Sequence, residues 1–98
     1  MEFAEPYPTG FTIYSKSGCH NCSKIKKVLT EKHLFFLEVQ CDEYLIEERE
    51  NFLSFIENKI GRSNTTFPMV FYDGKFIGGY NDAVESIEKI LLSFEELF

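Results

Sequence analysis

Two cysteines separated by two residues, Cys19-His20-Asn21-Cys22, stand between a short β-branched and aromatic run, Phe11-Thr12-Ile13-Tyr14, and a stretch whose apolar residues recur three and four apart. Few folds accommodate that placement. A strand that ends in a short turn and hands over to a helix at the first cysteine aims the helix's unpaired backbone N–H groups and its positive end at the Cys19 sulfur. The thiolate is then favoured over the thiol, so Cys19 is expected to ionise below the free value of about 8.5. Lys16 and His20 can add positive charge nearby, whereas Cys22 sits a turn further in and is expected to be more covered. The pair reads as an exposed nucleophile and a resolving thiol, and C-x-x-C in a βα setting is a redox signature.

The rest of the chain supplies the frame for that turn. Met1 to Gly10 is irregular, since Pro6 and Pro8 break any regular element. From about Cys19 to Lys32, Ile25, Val28 and Leu29 share one helix face while Lys24, Lys26, Lys27 and Glu31 take the others. Leu34 to Val39 suits a strand. Tyr44 to Ile60 carries the stripe Leu45, Phe52, Phe55, Ile56 and Ile60, which predicts one helix ending at the loop of Gly61 to Thr66. Met69 to Tyr72 and Lys75 to Ile77 flank Asp73-Gly74, the strongest short-range hairpin signal. A last helix follows Gly78-Gly79, with Asp82 and Glu85 spaced for a capping box and Ala83, Val84, Ile87, Ile90, Leu91 and Phe94 on its apolar side.

The predicted order is therefore β-α-β-α-β-β-α, an α/β fold. Strands joined through a helix should run parallel, the hairpin strands antiparallel, and the helices should cover both faces of one four-stranded mixed sheet. Pro68 must lie just ahead of the third strand, where its missing N–H costs no ladder bond.

Composition narrows the function. At 98 residues, 44% hydrophobic with 11 Phe, the chain is one domain with an ample core of its own. Three cysteines, two of them too close along the chain to tie distant segments together, do not form a disulfide framework, which favours a cytoplasmic or otherwise reducing setting. Met1 to Gly10 lacks the basic and apolar pattern of a signal peptide, and no apolar run approaches the roughly 20 residues of a membrane span. A net charge of −6 argues against nucleic acid as a partner; Lys24, Lys26 and Lys27 are the one basic cluster. Half a zinc site is the competing use of C-x-x-C, but Cys41 and His33 do not complete one, and no metal ligands are assigned.

With Cys19-His20-Asn21-Cys22, Thr66-Phe67-Pro68 and Gly78-Gly79-Tyr80-Asn81-Asp82 placed in that order, the chain closely resembles a dithiol glutaredoxin over about Phe11 to Phe94. The resemblance implies a thioredoxin-like fold and a glutathione-dependent thiol–disulfide oxidoreductase. It makes Cys19 the attacking cysteine and Cys22 the second one. Lys16 matches a basic residue that pairs with a glutathione carboxylate, and Thr66 and Phe67 precede the cis-proline, Pro68, with Phe67 offering backbone N–H and C=O to the cysteinyl part. Gly79, Asn81 and Asp82 fall in the segment that holds the γ-glutamyl end. Asp82 can accept from the ligand ammonium while adjacent free N–H groups take its carboxylate, and Gly78 and Gly79 let backbone approach the ligand.

Glutathione is implied as co-substrate with no tightly bound cofactor, and glutathionylated or disulfide-containing proteins as partners of a monomer. A glutathione-coordinated [2Fe-2S] dimer bridged through the first cysteine is the alternative found in some members. The family commonly has Pro and Tyr between the cysteines, where this chain has His20 and Asn21. Losing that Tyr removes an aromatic wall beside the glutathione sulfur, while His20 either favours the thiolate by its charge or points away from it. Tyr80 either lines the pocket rim or covers the last helix. Cys41 is either a passive thiol at the end of the second strand or, if exposed, a site of glutathionylation or intermolecular disulfide formation.

Overall fold

The computed structural model describes residues 1–96, with side chains through Ser93. Its elements are β1 (Phe11–Ser15), α1 (His20–Glu31), β2 (Phe36–Gln40), α2 (Asp42–Glu47), α3 (Arg49–Ile60), β3 (Met69–Tyr72), β4 (Lys75–Gly78) and α4 (Tyr80–Glu96). The four strands form one sheet in the order β2-β1-β3-β4. β1 and β2 are parallel, paired from Phe11 with Phe36 to Ser15 with Gln40, and β1–β3 and β3–β4 are antiparallel. This is the expected mixed sheet.

Each face of the sheet carries its own core. On one, Tyr14, Phe52, Ile56, Met69 and Phe71 are buried together with Cys22 and Cys41. On the other, Ile13, Ile25, Leu29, Val70, Ala83 and Ile87 form an aliphatic cluster that α1 and α4 cover. Central β1 is buried along its whole length, and edge strand β2 is not. The turn between β3 and β4 has Asp73 and Gly74 both at positive φ, 51° and 81°, the conformation that an Asp-Gly hairpin selects.

Two expectations need correction. The stripe read as one helix from Tyr44 to Ile60 is two helices, so the order is β-α-β-α-α-β-β-α. The backbone leaves the helical region at Glu48 (φ −143°, ψ 51°), and both segments then pack on the same aromatic cluster, Tyr44 and Leu45 from α2, Phe52 and Ile56 from α3. Apolar spacing carries through the break unchanged, so periodicity could not reveal it.

The capping box at Asp82 does not form. α4 starts at Tyr80, with the Gly79 carbonyl accepting from the Ala83 N–H at 2.9 Å, and Asp82 lies inside the first turn. The backbone here requires a glycine for its own reasons: a Cβ on Gly78 (φ +122°) would collide with the Asp82 side chain, whereas one on Gly79 would meet only the Pro68 carbonyl at 3.6 Å. Phe94, expected on the apolar side of α4, lies outside the residues whose side chains are described.

The irregular lead-in is anchored despite having no regular structure. Phe3 packs its ring 5.0 Å from Tyr44 and 5.4 Å from Phe52, and the Tyr14 hydroxyl donates to the Ala4 carbonyl at 2.6 Å. Burial, with Glu5 nearby, raises the Tyr14 phenol well above its ordinary value. No helix among the described residues is long and apolar enough to cross a membrane.

Candidate active site

β1 ends at Ser15, and Lys16-Ser17-Gly18 carries the chain out to Cys19, the N-cap of α1. Gly18, at φ +71°, makes the reversal that a side-chain-bearing residue would resist. Cys19 is half-buried, and its Sγ accepts from the Cys22 backbone N–H at 3.1 Å, so the sulfur sits where the helix presents its free donors. Cys22, one turn further, is 2% exposed. The two are joined as a disulfide with their Cα atoms 5.2 Å apart. Exposure thus divides the pair into an accessible sulfur and a covered one, as the sequence led us to expect.

The turn is held from the start of α2. The Asp42 carboxylate accepts from the Ser17 N–H at 2.9 Å and from the Ser17 hydroxyl, while Gln40 Oε1 accepts from the Asp42 N–H at 2.9 Å. Those hydrogen bonds, led by the Ser17 hydroxyl and assisted by the Lys16 charge, hold the Asp42 carboxyl below its usual range. Below it, Glu38 pairs with Lys26 at 2.8 Å and also accepts from the Ser15 hydroxyl; the Lys26 bond leads in lowering its pKa.

Beside the dithiol runs an open groove of about 300 Å³ lined by Asn21, Thr66, Phe67, Gly79, Tyr80, Asn81 and Asp82. Three separate segments of sequence meet there: the first turn of α1, the residues before the cis Phe67–Pro68 peptide, and the start of α4. All seven lining residues come from the three motifs that carried the resemblance, and Phe67 among them is only 8% exposed. Tyr80 lines the groove and also packs against the cluster of Ala83 and Ile87, so both of its readings hold.

Lys16, His20 and Pro68 are not on the groove wall. Lys16 is exposed, with its Nζ 5.5 Å from the Phe67 ring centroid; His20 is exposed as the first residue of α1; Pro68 is buried beneath Gly79. Two residues escaped the sequence reading. Asn21 lines the groove, and Lys24 places its Nζ 4.5 Å from the Tyr80 ring centroid. Their three-residue spacing puts them on one face of α1, but nothing local says that α4 faces it.

Cys41 follows β2 directly. It is fully buried, its Sγ donates to the Val39 carbonyl at 3.4 Å, and burial pushes its thiol up to about 12. An exposed, modifiable Cys41 is therefore ruled out. Among the described residues no group of three or more His, Cys, Asp or Glu could hold a metal ion.

The glutaredoxin family model matches residues 11–77, which include the dithiol turn, the cis-proline segment and the hairpin. The chain belongs to the glutaredoxin family. Glutaredoxin 1 of Rickettsia felis is 32% identical over 77 residues, 79% of this chain and 70% of that protein. Glutaredoxin-C4 of Arabidopsis thaliana is 38% identical over 80 residues, 78% of this chain and 53% of the relative. Among solved structures, glutaredoxin 1 from Francisella tularensis, complexed with cacodylate, superposes with a TM-score of 0.71 at 29% identity, covering 83% of this chain and 94% of that one. The fold is accordingly thioredoxin-like, and the activity is thiol–disulfide oxidoreduction with Cys19 and Cys22 as the redox-active dithiol.

Proposed function

We propose that this glutaredoxin reduces protein–glutathione mixed disulfides and protein disulfides, with glutathione as electron donor, in a cytoplasmic or similarly reducing compartment and as a monomer. The observation that carries the reading is the juxtaposition of an accessible N-cap sulfur with the groove of residues 66–67 and 79–82.

Helix N–H groups at Cys19 favour its thiolate, which attacks the glutathione sulfur of a mixed disulfide. The protein thiolate leaves and takes a proton, and Cys19 becomes glutathionylated. A second glutathione thiolate attacks the glutathione sulfur of that adduct, releasing glutathione disulfide and regenerating Cys19. With a protein disulfide, Cys19 captures one sulfur and Cys22 displaces it, leaving Cys19–Cys22 oxidised; two glutathione molecules return the dithiol. Burial of Cys22 keeps it out of the first attack yet one helical turn from the second.

The groove fits a tripeptide with charge at both ends. Lys16 stands near Phe67 to meet the glycine carboxylate, the backbone at Thr66 and Phe67 pairs with the cysteinyl unit, and Asp82 with the first N–H groups of α4 takes the γ-glutamyl ammonium and carboxylate.

Turnover of a glutathionylated peptide and of a disulfide peptide, measured with glutathione and glutathione reductase and again with a thioredoxin reductase, tests this. Cys19→Ser should abolish both reactions. Cys22→Ser should retain the first and lose the second. Reduction supported only by the thioredoxin reductase, or a Cys19→Ser protein that remains active with glutathione, sinks the reading.

A further inference from the structure

α1 carries three lysines in its first two turns, and the structure uses them differently. Lys26 pairs with Glu38 and Lys27 with Glu31, each within 4.0 Å. Lys24 has no carboxylate within that distance among the described residues, and its ammonium lies over Tyr80, on the groove rim. A cation over an aromatic face gains by the ring quadrupole and holds the ring in place. It also stays free to meet an anion that enters from solvent.

The groove at this end has two further properties. Tyr80 gives the only aromatic face on its wall apart from Phe67, which is 8% exposed. Asp82, two residues on, brings a negative charge to the same wall. One cation, one anion and one apolar plate are therefore gathered around the first turn of α4. That set is complementary to a short apolar stem ending in a carbon that bears both an ammonium and a carboxylate.

We propose that Lys24 and Tyr80 act as a pair that selects the γ-glutamyl end of the ligand, Tyr80 packing its methylenes and Lys24 meeting its α-carboxylate. The proposal rests on the reading that the groove takes glutathione, and it assigns to this chain two specificity-determining residues outside the reacting sulfurs. A ligand without the γ-glutamyl arm gains nothing from either.

One reporter peptide, linked by a disulfide either to glutathione or to cysteinylglycine, distinguishes the possibilities. The wild type should prefer the glutathione form. Lys24→Met should raise KM for that form about threefold to fivefold with kcat within about twofold, and leave the cysteinylglycine form unchanged. Lys24→Arg should restore the preference, because it keeps the charge and the stacking. Tyr80→Leu, which keeps apolar bulk in the α1–α4 packing, should lose as much, and combining it with Lys24→Met should add little. A wild type that discriminates while Lys24→Met discriminates equally well overturns the pair alone. A wild type that turns over neither form overturns the glutathione reading beneath it.

Discussion

Cys19 and Cys41 occupy equivalent places in the topology: each is the N-cap of the helix that follows one of two adjacent parallel strands. Their surroundings are opposite. Cys19 is half-exposed and accepts a helix N–H; Cys41 is fully buried, makes no capping bond, and donates to a strand carbonyl. The difference lies in the connection. β1 and β2 end side by side at Ser15 and Gln40, but Lys16-Ser17-Gly18 intervenes before Cys19 and nothing intervenes before Cys41. A short spacer lifts one sulfur to the rim of the sheet, while the other is drawn into the aromatic core. Helix position alone does not make a reactive thiol; the length of backbone that precedes it decides.

The largest expected contrast is chemical. With a thiol pKa of about 12, Cys41 at pH 7 is ionised to the order of one part in 10^5, and its sulfur is also closed to solvent. Iodoacetamide added to the reduced native protein at pH 7 should label Cys19 and leave Cys41 untouched until denaturant is added, a rate difference of at least about a thousandfold. Peptide mass mapping reads the sites. Labelling of Cys41 within about tenfold of Cys19 would break the comparison.

A second contrast concerns alkaline stability. Cys41 has its folded value raised from 9.0 to about 12, chiefly by burial, so above pH 9 the unfolded chain releases a proton that the folded chain keeps. The stabilisation is complete below pH 9 and is lost as pH rises toward 12; Tyr14, also raised, acts in the same direction. Cys41→Ala should cost roughly 1 kcal/mol at pH 7, the cost of a small core truncation. Because alanine cannot ionise, the deficit should shrink between pH 9 and pH 11 in urea titrations under reducing conditions. A deficit that stays constant over that range would show that Cys41 does not resist ionisation.

Much of this was legible in the chain itself because it depends on neighbours in sequence. The Asp73-Gly74 turn, the α1 face of Ile25, Val28 and Leu29, and the strand-to-helix junction at Cys19 are local matters of backbone preference and period. The break at Glu48 is not, because the apolar spacing runs on across it and both segments pack on one cluster with Tyr14 and Phe71. Nor was the start of α4 visible, since Asp82 has the look of a cap but lies inside the first turn, where its side chain takes the space that a Cβ on Gly78 would need. At the site, the motifs at 19–22, 66–68 and 79–82 could be read, but the contribution of Asn21 and Lys24 arises where α1 meets α4. Phe3 shows the same limit: two prolines forecast irregular backbone and say nothing of where a ring packs.

The smallest effect sharpens the part of the comparison that concerns the spacer. Ser17 sits in the three-residue connection before Cys19, and its amide and hydroxyl both donate to Asp42, the residue directly after Cys41. The buried cysteine's helix therefore holds the exposed cysteine's turn. Because its folded value is depressed, the anchoring by Asp42 is present above the ordinary carboxylate value near about 4 and is lost only as pH falls through the lower folded value. Asp42→Ala removes both acceptors and should lower kcat/KM by about twofold at neutral pH, the modest effect of an exposed charge, while speeding hydrogen exchange at the Ser17 amide. Asp42→Asn keeps one acceptor oxygen and should lie between the two, with a flatter acid limb below about pH 4. If Ser17 exchanges no faster in Asp42→Ala, the turn holds its shape through Gly18 alone, and the length of the spacer matters without the tether.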